Sequence, residues 1–310
     1  MSNIIKIPFI NPVKYTQIGY DQLPQYLSKH MDDYPYIDAI RSYEEVVNYW
    51  QIWGSHDSIR QQLFTNIGPV QMKIMDCHGD VLLTENFQQK QEDANNPTLF
   101  RYDSDLALNP FPAGVFFSQL DFGGLYNLIS EPMILSDNLS ETVYIEYARK
   151  PFYENIIFAD GFLPTLRIAG QIKYKEPGAK RVIYEDDPLN TEILDAKNFD
   201  SWTFQIGGVT GIPDYMIKKV SRILGCTDLR IDRRYYTVDP GGKLENETLE
   251  GYPMRGWRID LRDKYNLSSK YFLTDDINTE NPIVMIANVD SKGFIKDDAG
   301  GSFFQIIDVE

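Results

Sequence analysis

The sequence predicts a mainly β protein: an immunoglobulin-like β-sandwich, then a second β-domain carrying one packed helix at about residues 213–224. Three observations predict it. Short runs that alternate apolar and polar residues recur between Gly-, Pro- and Asp-rich turns. The 20 Tyr and 17 Phe favour strands, where flat rings pack on a pleated surface. Only the stretch around Ile217, Val220 and Leu224 shows clear helical periodicity.

Taken in order, residues 1–45 read as an extended N-terminal arm or as first strands of the next domain. Pro8, Pro12, Pro24 and Pro35 recur there among Tyr and Ile, and each proline biases its predecessor toward extended backbone. Residues 46–143 read as the sandwich. VVNYWQIW is β-prone, and VQMKIMDCHGDVLLT is a hairpin turning at His78-Gly79-Asp80. In that hairpin Val70, Met72 and Ile74 alternate, as do Val81 and Leu83. The polar stretch Gln88–Asn96 reads as a loop. FPAGVFFSQLDFGGLYNL carries two more strands, and Glu131-Pro132-Met133 opens another.

Residues 144–275 read as the second domain, with the boundary near ETVYIEYARK. LRIAGQIKYK, SWTFQIGG and WRIDLRDKY alternate, and KRVIYEDDP ends in a turn. The residues expected to carry this domain are Trp202, Phe204, Ile217, Val220, Leu224, Tyr236 and Trp257. Pro213 suits a first helical turn, Asp214 complements the helix N-terminus, and Gly225 is a natural stop. Lys218, Lys219 and Arg222 mark the polar face. Residues 276–310 read as a C-terminal β-hairpin or arm, its strand-like ends flanking a Gly- and Asp-rich middle.

Bulk composition excludes several functions. A net charge of −15 opposes binding to nucleic-acid phosphates and to anionic lipid. Cys77 and Cys226 lie far apart in no paired spacing, which predicts isolated buried thiols and no disulfide. The opening MSNIIKIPFINPVKY lacks the apolar core of a secretory signal, so the sequons at Asn138 and Asn246 read as coincidental. No apolar run approaches a membrane span.

No motif carries catalysis. Gly207, Gly208 and Gly211 before a helix outline a phosphate loop, but G-x-G-x-x-G and the Lys-Ser/Thr pair are missing, and Asp214 would repel an anion. A tight turn is the better reading. His30, His56 and His78 form no ligand spacing. Glu185-Asp186-Asp187, Asp275-Asp276 and Asp297-Asp298 read as Asx-capped turns. Asn288–Ala299 echoes an EF-hand loop but places Lys292 and Ala299 at ligand positions. The basic run Arg230–Arg234 reads as a solvated strand face. The expectation is no catalytic, cofactor-binding or metal residue, and no enzyme.

From Ser130 to Arg262 the chain presents SEPM, TVYIEYAR, FLPTLRIAGQIKY and VIYEDDPLN in that order. FQIGGVTGIPDYMIKKVSRILGCTDLRIDRRYYT and YPMRGWRIDLRDKYN follow. This order resembles a group of virion structural proteins of tailed phages and prophages of Bacteroidetes, including crAss-like phages. The resemblance is good over the second half and covers the first domain only in outline. It implies a tail, baseplate or neck-ring subunit: an architectural protein that assembles with copies of itself and with other tail or portal-vertex proteins. It implies a virion location after synthesis in the host cytoplasm, and no cofactor. A carbohydrate-binding surface protein that uses exposed Tyr and Trp is the first alternative, and a depolymerase with carboxylates distant in the chain the second.

Overall fold

The computed structural model describes residues 3–32, 49–93, 96–187, 190–208, 211–240, 242–247, 254–264, 288–289, 294–296 and 302–305. It divides into a unit spanning Met1–Ser268 and a unit spanning Ser269–Glu310. The first opens with β1 (Ile5–Lys6), β2 (Tyr15–Gln17) and helix α1 (Leu23–Asp32). Then come β3 (Gln51–Trp53), β4 (Ser58–Thr65), β5 (Val70–Asp76), β6 (Val81–Asn86), β7 (Gln88–Asp93) and β8 (Asn96–Ala107). β9 (Gly114–Phe122), β10 (Asn127–Ser130) and β11 (Met133–Leu135) complete the sandwich.

One sheet of the sandwich runs β1-β4-β8-β7. The other has β9 at its centre, with β5 and then β6 on one side and β10 and β11 end to end on the other. Facing residues Ile59, Leu63, Tyr102 and Leu106 meet Val70, Met72, Ile74, Phe116, Leu120 and Phe122 in one buried core. The alternation read at 70, 72 and 74 is therefore the pleat pointing inward. Met75 and Phe117 point the other way, against Leu27 of α1.

Two expectations are corrected. Among the described residues the N-terminal stretch carries helix α1 as well as strands, so it is not simply an extended arm, while the second β-domain carries the one helix expected of it. Pro24 lies in the first turn of α1, where a missing N–H costs nothing, so the proline that signalled extended chain starts a helix. Gln88–Asp93 is a strand and not a loop; its polar residues are tolerated because it is an edge that, among the described residues, pairs only with β8.

The second domain comprises β12 (Thr142–Ala148), the short pair β13 (Phe152–Tyr153) and β14 (Ile156–Ile157), β15 (Thr165–Asp187) and β16 (Asn190–Ile206). Helix α2 (Asp214–Ile223), β17 (Asp228–Ile231), β18 (Arg234–Val238), β19 (Glu245–Glu247) and β20 (Gly256–Asp263) follow. The sheet order is β16-β15-β12-β17-β18-β20, and β20 also pairs with β16, so these strands close into an antiparallel barrel. β19 adds to β20 beyond the end of β18. Phe204, Ile259 and Leu261 fill the core together with Met216, Ile217, Val220 and Ile223 of α2. Tyr236 and Leu224 are buried in the same core, while Trp202 and Trp257 are half-buried and pack against it.

In the C-terminal unit β21 (Asn288–Val289), β22 (Phe294–Lys296) and β23 (Ser302–Gln305) pair in sequence, antiparallel. Asp275-Asp276 and Asp297-Asp298 lie outside the described residues.

Candidate assembly surfaces

Within the first unit the sandwich and the barrel are fastened together by buried polar chemistry. Arg167 of β15 donates through Nε (2.5 Å) and Nη2 (2.8 Å) to the two carboxylate oxygens of Asp57 in the turn before β4, and through Nη1 (2.9 Å) to Thr142 Oγ1. Thr165 Oγ1 donates to the Ser58 carbonyl at 2.5 Å, and Gln62 closes two bonds with Ile157. A bidentate Arg–carboxylate pair fixes orientation as well as position.

The N-terminal strap clasps the same junction. β1 pairs with β4 and β2 with β10, so the segment touches both sheets of the sandwich. Between them Ile10 is buried in the barrel core and Val13 in the sandwich core. The Asn11 side chain exchanges bonds with the backbone of Gln62, and Tyr147 Oη donates to the Ile10 carbonyl. Lys219, only 2% exposed, donates from Nζ to the carbonyls of Asn11 (2.6 Å) and Pro12 (3.1 Å). The sequence had placed Lys219 on the polar face of the helix. It is buried because the strap presents two carbonyls to it, a partner 207 or more residues away that periodicity does not show. Burial lowers its pKa to about 8, with Glu131 opposing that shift and Lys14 adding to it. Glu131 in turn holds Lys14 (2.6 Å) and accepts from Tyr215 Oη, whose pKa burial and Glu131 push up.

The β15–β16 hairpin is the opposite case. β12 pairs with β15 only from Thr165 to Ala169, and β20 with β16 only from Ser201 to Ile206. From there to the tip the two strands pair with each other, with register shifts between Tyr174 and Glu176, Val182 and Ile183, and Glu185 and Asp187. Among the described residues no other strand joins either outer edge of this arm. From Glu176 to Asp187 it runs on the order of 35 Å at about 3.3 Å per residue. Its root is stiffened by an edge-to-face series, Tyr174 on Trp202 and Trp202 on Tyr236, with Arg234 over Trp202 and Arg262 over Phe199.

The second unusual surface is β6. Among the described residues it pairs only with β5, and Val81, Leu82 and Leu83 are 52%, 46% and 37% exposed. The alternation at Val81 and Leu83 read from sequence is therefore not an inward face. β7, which follows directly, has the polar sequence QQKQED.

The residues that sequence raised as ligands are accounted for. Gly207 N–H donates to the Ala169 carbonyl, Gly211 N–H to Gly207 and Ile212 N–H to Arg255, so the turn spends these amides internally. Gly207 and Gly211 have φ of 98° and 72°, and a Cβ on Gly211 would lie 2.7 Å from Arg255 N. His56 and His78 lie in separate turns and His30 lies in α1. Among the described residues no three His, Cys, Asp or Glu side chains gather as metal ligands. Arg230 faces Glu146 and Tyr235, and Asp232 and Arg233 form the β17–β18 turn. Cys226 is buried and burial pushes its thiol up to about 12, out of reactive range. A shallow groove on the barrel holds Lys175, Thr203, Glu245, Arg258 and Asp260, but Lys175 pairs with Asp260 and Arg258 with Glu245. No described helix is long and apolar enough to cross a membrane. No family model matches the chain, and no curated protein matches it.

Proposed function

We propose that this chain is a structural subunit of a phage virion, a tail or neck-to-tail ring component assembled from copies of itself with other virion proteins. The observation that carries an architectural role is the arm: a long two-stranded ribbon with both edges unpaired among the described residues. Such a ribbon is marginal alone in water and gains stability from a neighbour. The locked junction behind it supports the same role, because a subunit that transmits load needs its domains held in one orientation. What directs the reading to a virion is the resemblance over Ser130–Arg262. The carbohydrate reading has less behind it. Trp53 is fully buried, Trp202 and Trp257 pack on the barrel core, and exposed Tyr174 already leans on Trp202.

Mass spectrometry of purified virions, from a phage encoding this chain, is the test. The chain is expected at a copy number that matches a ring. Its absence from washed particles overturns the reading.

A further inference from the structure

We infer that the β15–β16 arm of one copy adds as a strand to the open edge of β6 in a second copy. This rests on the reading of the chain as a self-assembling subunit and names the two surfaces involved. The first premise is a donor with bare hydrogen-bonding groups. Along both outer edges of the arm, N–H and C=O groups meet no described strand, and a third strand would satisfy one row of them.

The second premise is an acceptor that stands out from its neighbours. Sandwich edges are guarded in the usual ways: β1 is two residues long, β2 and β3 are three each, and β7 is charged and twice shifted in register. β6 has six residues, no proline, and no charge from Val81 to Thr84. Its three consecutive apolar side chains stand in solvent on both faces of the strand. An edge of that kind is a template for pairing. Among the described residues of one copy the arm pairs only with itself and β6 only with β5, which leaves both edges open to a second copy.

The third premise is charge. The apolar triplet of β6 is bounded by Asp80 and Glu85, and the apolar run Val182-Ile183-Tyr184 of the arm is preceded by Lys180-Arg181. Antiparallel addition that opposes the two triplets carries the basic pair to the Glu85 end. Arm and edge are different surfaces, so each copy both gives and receives. Such a heterologous contact builds a ring or a filament and not a closed pair.

Two variants of the full chain test this, Leu82→Lys in the edge and Ile183→Asp in the arm. Sedimentation velocity over a hundredfold concentration range reads assembly, and thermal melting checks that each variant folds. Wild type is expected to form rings or larger assemblies, and each variant alone to remain a monomer at tenfold higher concentration. Mixing the variants is expected to give one-to-one pairs, since one keeps an intact arm and the other an intact edge. If a variant melts early, replacing residues 176–200 by a two-glycine turn removes the donor without touching either core. Wild type that stays monomeric throughout, or assemblies indifferent to both substitutions, overturns the inference. So does crosslinking in virions that joins β6 to a different virion protein, and that result leaves the virion reading standing. A contact that behaves as described in a chain absent from virions overturns the virion reading alone.

Discussion

The sandwich–barrel junction and the hairpin arm are made from the same strand. At its start β15 carries Arg167, whose guanidinium is held by Asp57 and Thr142, and beside it the strap places Lys219 against two carbonyls. Past Gly170 the same strand has its hairpin partner and nothing on its outer edge among the described residues. The junction is closed chemistry, with polar groups buried and paired, whereas the arm is open chemistry, with backbone groups offered outward. Stability is concentrated in one stretch of the strand and the capacity for association in the other.

The sharpest break of that comparison is at the junction. Asp57→Ala leaves Arg167 charged, buried and without its carboxylate. The expected cost is about 3–5 kcal/mol in urea unfolding, the usual range for removing one partner of a buried pair. Asp57→Ala combined with Arg167→Met is expected to recover most of it, because no uncompensated charge remains. A loss below about 1 kcal/mol for the single variant would mean that the junction is no more closed than a surface.

Next in size is the pH response of Lys219. Its folded pKa of about 8 lies below the ordinary lysine value of 10.5. Between these two values the unfolded chain binds the extra proton, so stability rises with pH there and is constant below and above. The neutral amine keeps two N–H donors for the Asn11 and Pro12 carbonyls. The full rise is about 3 kcal/mol as an upper bound. Tyr15 and Cys226 titrate in the opposite sense: burial raises both to about 12, which removes stability as pH climbs above their ordinary values of 10.0 and 9.0. The clean measurement is therefore a difference. Melting curves of wild type minus Lys219→Met, taken from pH 7 to 10.5, are expected to climb above pH 8. A flat difference would show that Lys219 is not buried as a charge.

How much of this was legible in the sequence follows the range of the interactions. Local signals held for the hairpin turn at His78–Asp80 and the helix from Asp214 to Ile223; of the alternating sets Trp202, Phe204, Ile206 and Trp257, Ile259, Leu261, the aliphatic residues and Phe204 are buried while both Trp are half-buried. Closure of the barrel was not legible, because it depends on β16 meeting β20 some fifty residues on, and no local period records a partner. Lys219 was misread for the same reason. α1 was hidden by Pro24, whose effect reverses between a first turn and a helix interior. Beyond the turn that ends KRVIYEDDP the length of the arm was not legible, since a strand that leaves its sheet has the same alternation as one that stays. Exposure at Val81–Leu83 breaks the rule that apolar alternation points inward, and an unguarded edge is where that rule is expected to fail.

The smallest expected effect sharpens the comparison from the other side. Replacing residues 176–200 by a two-glycine turn removes a ribbon that no other described strand pairs and gives up the Phe199–Arg262 contact at its root, so the barrel should keep its core and lose less than about 1 kcal/mol in urea unfolding. Hydrogen exchange of dilute wild type gives the same contrast without a variant. Amides of β12, flanked by β15 and β17, are expected to exchange only on global opening, and amides along the arm through local fraying. If the inference about β6 holds, the contrast shrinks as concentration rises, with arm and β6 amides gaining protection together. Protection of the arm equal to that of β12 in dilute monomer would mean that the ribbon is already packed within its own chain, and the division between closed and open chemistry along β15 would fail.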